Sequence, residues 1–138
     1  MTPVLADSSF FVALFNQREK GHGRCLSAYR GLDGPLITTE ACITETLHLL
    51  DHDEAAVEAI LTNVREGALE VPFRLGDCAS EVAYLMSKYA DTPCDFADAC
   101  LIYLADQLGS GDILTLDSDF KHYRWRRKKH FRMLIPLE

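Results

Sequence analysis

No apolar run in this sequence approaches the roughly 20 residues that a bilayer-spanning helix needs, and its clean apolar stretches are only a few residues long. A membrane span is therefore not expected. The N-terminus, Met1-Thr2-Pro3-Val4-Leu5-Ala6-Asp7, lacks the basic start and extended apolar segment of a secretory signal, which makes the cytoplasm the expected compartment. Cysteine is sparse and odd in number: the five thiols are Cys25, Cys42, Cys78, Cys94 and Cys100. None is paired at the close spacing of a zinc knuckle or a redox motif, so they read as free thiols packed like small apolar residues. The histidines (His22, His48, His52, His122, His130) accompany no nucleophile elbow, which leaves Ser-His-Asp chemistry with little support. Repeats, low-complexity tracts and linkers are also missing, and 138 residues suit one domain spanning 1–138.

Charge is present but uneven. The formal net charge is −7. Seven of the 14 Lys and Arg residues lie between Lys121 and Arg132, a segment without any acid; the rest of the chain is net −14. An acidic body with one basic segment suggests an acidic partner there, nucleic acid first.

Short apolar runs alternate with amphipathic ones. Val4-Leu5-Ala6 reads as a buried strand, followed by a helix over Ser9–Asn16 and a polar loop over 17–23. Arg24–Leu32 reads as helix and Leu36-Ile37-Thr38 as a second strand. Thr39 can cap a helix over Glu40–Leu50, and Asp53 another over Glu54–Glu66, which Gly67 ends. Leu69–Pro72 is a third strand and Asp77–Tyr89 a helix. A further helix opens at Pro93 and Asp95 and stops at Gly109. Ile113–Leu116 is a fourth strand and Met133–Ile135 a fifth. Strands alternating with helices predict an α/β fold, a central parallel sheet of four to five strands covered on both faces. In such sheets ligands bind beyond the carboxyl ends of the strands. Asp7 follows the first strand and Asp117 the fourth.

Two more acids are oddly placed. Glu45 shares a helix face with Ala41, Cys42, His48 and Leu49, and Asp98 with Cys94, Asp95, Leu101, Ile102 and Ala105. A lone carboxylate on an apolar stripe costs several kcal/mol unless it is paired, neutralised or bound to metal. Neither helix carries Lys or Arg. Convergent carboxylates without cationic partners suit hard divalent ions such as Mg²⁺ or Mn²⁺. Each acid also has a structural alternative: Asp7 and Asp117 as helix caps, Asp98 as the third-position acid of a capping box, Glu45 as a half-exposed residue. The set carries the metal reading more than any member. Asp95 and Asp119 are additional candidates, each also explicable as a cap or turn residue.

The segments Leu5-Ala6-Asp7-Ser8-Ser9, Ile43-Thr44-Glu45-Thr46-Leu47, Asp95-Phe96-Ala97-Asp98-Ala99 and Leu114-Thr115-Leu116-Asp117-Ser118-Asp119-Phe120 occur in an order and spacing that resembles PIN-domain nucleases, and among them the toxin half of VapBC-type toxin–antitoxin pairs. The resemblance spans essentially the whole chain. It implies a three-layer α/β/α domain and a metal-dependent endoribonuclease with Mg²⁺ or Mn²⁺ held by Asp7, Glu45, Asp98 and Asp117. Asp7 and Asp98 rank first as ligands, with the hydroxyls of Ser9 and Thr115 in support. It also implies tRNA or rRNA as substrate, a homodimer, and a cognate antitoxin. Less typical is the basic run after the fourth acid. It follows Asp117 closely enough to flank the groove, and Arg124, Arg126, Arg127, Lys128 and Lys129 beside Trp125 suit phosphate contact and base stacking. Trp125 packed on the core of a solvated loop is the alternative. Two other functions compete: a catalytically silent PIN-fold module that binds RNA or protein, and an Asp-dependent phosphohydrolase built on Asp117-x-Asp119.

Overall fold

The computed structural model describes residues 2–89 and 91–137. The chain runs β1 (Val4–Ala6), α1 (Ser8–Phe15), α2 (His22–Arg30), β2 (Leu36–Ile37), α3 (Glu40–Leu49), α4 (Glu54–Arg65), β3 (Leu69–Glu70), a 3₁₀ turn (Leu75–Asp77), α5 (Ala79–Lys88), α6 (Phe96–Leu108), β4 (Asp112–Leu114), a second 3₁₀ turn (Ser118–Lys121), β5 (Arg124–Trp125), β6 (Lys129–His130) and β7 (Arg132–Met133). Five strands form one sheet in the order β3-β2-β1-β4-β7, and every pairing in it is parallel.

The alternation of side chains along each strand sorts the core into two faces. Leu5, Ile37 and Ile113 point to one face, against α5 and α6 through Val82, Leu85, Leu101 and Ile102. Val4, Ala6, Leu36, Leu69 and Leu114 point to the other, against Phe10 and Phe11 of α1, Cys25 of α2 and Ile60 of α4. This is the three-layer α/β/α arrangement with a parallel centre.

The caps read from the sequence form as hydrogen bonds. Asp7, Thr39, Asp53 and Asp95 accept from the backbone N–H of Phe10, Cys42, Ala56 and Asp98. Gly109, at φ 69°, ends α6 in the left-handed conformation. All five thiols are free and buried.

The structure corrects several boundaries. Helix α2 starts at His22, inside the expected loop: Gly21 takes φ 97° and its carbonyl receives the Cys25 N–H at 2.9 Å. The expected helix over Asp77–Tyr89 begins only at Ala79, after a 3₁₀ turn. The basic segment is a two-stranded antiparallel hairpin, β5 with β6, outside the main sheet. At its turn Arg126 (φ 46°) and Arg127 (φ 67°) both take left-handed backbone, which costs a residue with a Cβ about 1–2 kcal/mol.

Candidate active site at the carboxyl edge of the sheet

Strand β1 pairs with β2 on one side and β4 on the other, so chain connections depart in opposite directions from the β1–β4 crevice. That is the topological switch point, where an open parallel sheet leaves room beyond its strand ends. Leu5 lies beside Ile113 and Ala6 beside Leu114, which brings Asp7 level with Thr115.

Asp7 is buried, with 5% of its surface exposed. Its Oδ1 accepts from Ser9 Oγ at 2.7 Å and from the Phe10 N–H at 3.1 Å, and its Oδ2 accepts from Thr115 Oγ1 at 2.5 Å. The Thr115 hydroxyl oxygen in turn accepts the Asp117 N–H at 2.9 Å. One buried threonine thus ties the first acid to the fourth. Burial pushes the Asp7 carboxyl up to about 6; the three donors lower it in part, and Asp117 raises it further. Asp117 caps the second 3₁₀ turn through the Asp119 N–H at 2.9 Å. Its carboxyl is also raised, by burial first and then by the charges of Asp119, Asp95 and Glu45. The cap and the cluster are therefore compatible readings of Asp7 and Asp117.

Asp98 sits in the first turn of α6. It makes no capping-box return bond; Asp95 caps the helix, accepting the Asp98 N–H at 2.8 Å. The Asp98 carboxylate instead meets the hydroxyl of buried Tyr123, which lies 3.0 Å from Oδ2 and also within reach of the Pro93 carbonyl. Burial, then the neighbouring Asp95, Asp117 and Asp7, push Asp98 up to about 7, and the tyrosine bond opposes them. Tyr123 was invisible to sequence reasoning, since it lies outside the acidic motifs and nothing local aims it at α6.

Glu45 departs from expectation. It is exposed, although its neighbour Cys42 is buried; Cys42 and Thr46 are the buried residues of α3. Its Oε1 accepts a hydrogen bond from Ser8 Oγ, which holds it at the mouth of the crevice near the start of α1.

Asp7, Asp98 and Asp117 therefore lie in one electrostatic field, with Glu45 at its rim. Among the described residues no Lys, Arg or His forms an ion pair with any of them. Nor do any three His, Cys, Asp or Glu side chains close into a ready-made cation cage there. The donor set is all carboxylate oxygen with hydroxyl support, the chemistry of a hard-ion site.

A family model for the PIN domain matches residues 4–126. The chain belongs to the PIN-domain family. It is 28% identical to Ribonuclease VapC26 of Mycobacterium tuberculosis (strain ATCC 25618 / H37Rv), over 97% of this chain and 93% of that protein. Among solved structures it resembles Mycobacterium tuberculosis VapC20, described as a Sarcin-Ricin loop cleaving toxin, with a TM-score of 0.78 and 19% identity over 86% of this chain and 93% of that one. The second likeness bears on the fold alone.

The structure does not bring the basic run to this PIN-domain site. Strand β4 is parallel to β1, so Gly111, just before β4, lies at the opposite edge of the sheet, and it packs against Trp125. Arg126 bonds Asp106 in the last turns of α6, whereas Asp98 is in its first. Trp125 is 8% exposed and donates its indole N–H to the His130 carbonyl at 3.1 Å, so it is a core residue and offers no face for base stacking.

Proposed function

We propose that this chain is a single PIN domain over 1–138 acting as a Mg²⁺- or Mn²⁺-dependent endoribonuclease, the toxin component of a VapBC-type module. The observation that carries the reading is the pair Asp7 and Asp98: two carboxyls held toward neutrality at the switch point, in a crevice that supplies no cation. A protein keeps such repelling acids when something outside the chain completes them. Asp7 and Asp98 would hold the metal first, with Asp117 and Glu45 completing the set. When bound, a divalent ion supplies Lewis acidity toward a phosphate oxygen and lowers the pKa of coordinated water.

The chain's own groups do the rest. Ser9, Thr115 and the Phe10 N–H fix both oxygens of Asp7, so that its orientation is set before substrate arrives. Tyr123 steadies one oxygen of Asp98 and leaves the other open. Asp117 is oriented by Thr115 and Asp119. Glu45, exposed at the rim, is the acid that solvent and a substrate phosphate reach most directly. The curated relative's name, a VapC ribonuclease, supports RNA as substrate; tRNA or rRNA is the proposed class. By the same likeness, a cognate antitoxin and a homodimer in the cytoplasm are the proposed partners and setting. No described helix is long and apolar enough to cross a membrane.

The test is cleavage of a mixed tRNA and rRNA pool with Mg²⁺ or Mn²⁺, comparing the parent with Asp98→Asn at equal folded concentration. Metal-dependent cleavage, lost in EDTA and in the variant, is expected. Cleavage by Asp98→Asn at the parent's rate would refute the four-acid site. RNA bound but uncut by the parent would point to a silent module.

A further inference from the structure

The β5–β6 hairpin holds the densest positive charge of the molecule in a rigid frame, and the carboxylate site does not use it. Its strands are pinned from three sides. The Trp125 indole is buried between Gly111 and the hairpin, and a Cβ on Gly111 would come within 2.0 Å of Nε1. The Arg126 N–H bonds the Asp106 carboxylate, and its Nε reaches the Asp106 carbonyl at 3.3 Å. The Arg126 guanidinium and the Lys129 ammonium lie over the Trp125 ring at 5.7 and 5.0 Å from its centroid. The turn is closed by the Lys128 N–H on the Arg126 carbonyl at 2.8 Å.

At the tip of this frame the chain keeps arginine where the backbone favours Asn or Gly. Two consecutive positive-φ residues in the three-residue loop 126–128 are a backbone that Asn and Gly adopt with less strain than arginine. Long cationic side chains there weaken the fold, and strain of this kind collects where a side chain is wanted for binding. Arg126, Arg127, Lys128 and Lys129 are all exposed. Among the described residues none of the four forms an ion pair with a carboxylate. Among the described residues the Arg124 guanidinium donates to the main-chain carbonyls of Lys121 and Tyr123. Beside the hairpin, between α5 and α6, runs an open groove of about 490 Å³ where Lys88, Tyr84, Arg124 and Arg127 meet, with Glu81 and Asp106 its acids. Asp106 is already engaged by Arg126.

The geometry points to a phosphate-binding anchor for RNA at the hairpin tip and this groove, physically separate from the carboxylates. This rests on the ribonuclease reading above. Asp106 lies eight positions after Asp98 on α6, about 12 Å along the axis, so an RNA held at the tip must also reach round the domain to be cut. The electrostatics require such a device. A polyanion approaching repelling carboxylates, on a body that is net −14 outside this segment, needs attraction from elsewhere. Five of the 14 Lys and Arg residues, Arg124, Arg126, Arg127, Lys128 and Lys129, are gathered on the hairpin where they can give it.

The deciding variant is Arg126→Asn/Arg127→Gly, which removes two charges while giving the turn the residues it prefers. In an Asp98→Asn background, which separates binding from cleavage, tRNA affinity is measured by anisotropy across salt concentrations. The melting temperature is expected to stay close to the parent's, relief of the turn offsetting the lost Arg126 contacts to Asp106 and Trp125, while affinity falls and the slope of log K against log salt flattens by about 1–2 units. Arg126→Lys/Arg127→Lys keeps the charge and is expected to keep the slope. A control that removes two exposed cations elsewhere, Arg65→Gln/Arg74→Gln, is expected to leave it unchanged. If the control flattens the slope as much as the hairpin pair, or the hairpin pair changes neither affinity nor slope, the anchor is wrong although the nuclease stands. If the parent binds poly-glutamate as tightly as tRNA, the site serves acidic protein and not phosphate. If the parent binds no RNA even at low salt, the nuclease reading fails together with the anchor.

Discussion

The two edges of the sheet treat charge in opposite ways. At the carboxyl edge, Asp7 and Asp98 are drawn out of water, hydrogen-bonded by Ser9, Thr115 and Tyr123, and pushed toward neutrality. At the amino edge, cations on the β5–β6 hairpin stand in solvent around one buried indole, on a strained turn. The first region stores electrostatic cost in burial, the second in backbone. Burial prepares groups for close chemistry, since a desolvated carboxylate interacts strongly with whatever enters. Exposure prepares them for long-range attraction, which is weaker per contact and sensitive to salt.

The sharpest way to separate the regions is to remove one function from each. Asp98→Asn, the loss of a metal-holding carboxylate, is expected to lower cleavage by more than the roughly 10–100-fold typical of groups that only orient a ligand, with RNA affinity kept. The hairpin pair Arg126→Asn/Arg127→Gly is expected to do the reverse to affinity. Matching losses of affinity in both would erase the distinction. A smaller effect should come from Thr115→Val, which keeps the shape and deletes the hydroxyl linking Asp7 to Asp117. Support of this kind is worth about 10–100-fold in metal affinity or activity. Titration of Mn²⁺ by calorimetry checks it, and an unchanged metal affinity would show that Asp7 is oriented without Thr115.

Gly111→Ala attacks the amino edge alone. The new Cβ meets a rigid indole, and overpacking of this sort costs about 1–3 kcal/mol of stability in urea melts. A neutral result would mean that the hairpin swings freely away from Gly111. The mildest effect is on pH dependence at the carboxyl edge. Asp7 rises from 3.8 to about 6 and Asp98 from 3.8 to about 7, so the folded protein binds these protons more tightly than the unfolded one. In metal-free buffer their contribution to stability is largest below the ordinary Asp range and is lost as pH rises through that window. Melts in EDTA between about pH 5 and about pH 8 should show a decline that Asp98→Asn reduces and Mn²⁺ opposes. A rise in stability over that range in the parent, with no difference in Asp98→Asn, would contradict the burial of that group.

Much of the carboxyl edge was legible before folding because its signals are local. A short apolar strand followed by Asp7-Ser8-Ser9 announces both a strand end and a cap, and the structure keeps both roles in one side chain. Asp95 and Thr39 likewise declared their helices. Glu45 misled, because a helix with weak contrast between its faces does not say where the buried stripe ends: its neighbour Cys42 is buried with Thr46, and Glu45 falls outside. The basic run misled in another way. Its nearness to Asp117 in sequence suggested nearness in space, but the 3₁₀ turn and buried Phe120 and Tyr123 carry the chain back along α6. Two-residue strands such as β5 and β6 have too little periodicity to be read, and Trp125 became core only once Gly111 and α6 enclosed it.

By itself the sequence determined the alternation of strands and helices, the caps, the order of the four acids and the segregation of positive charge. Those follow from patterns a few residues long: period, turn chemistry and composition. Only the tertiary structure decided that Tyr123 meets Asp98, that Glu45 is a rim residue, and that the cations sit at the far edge from the acids. Each depends on parallel strand order and on which helix packs over which strand, contacts between residues dozens of positions apart that no local pattern encodes.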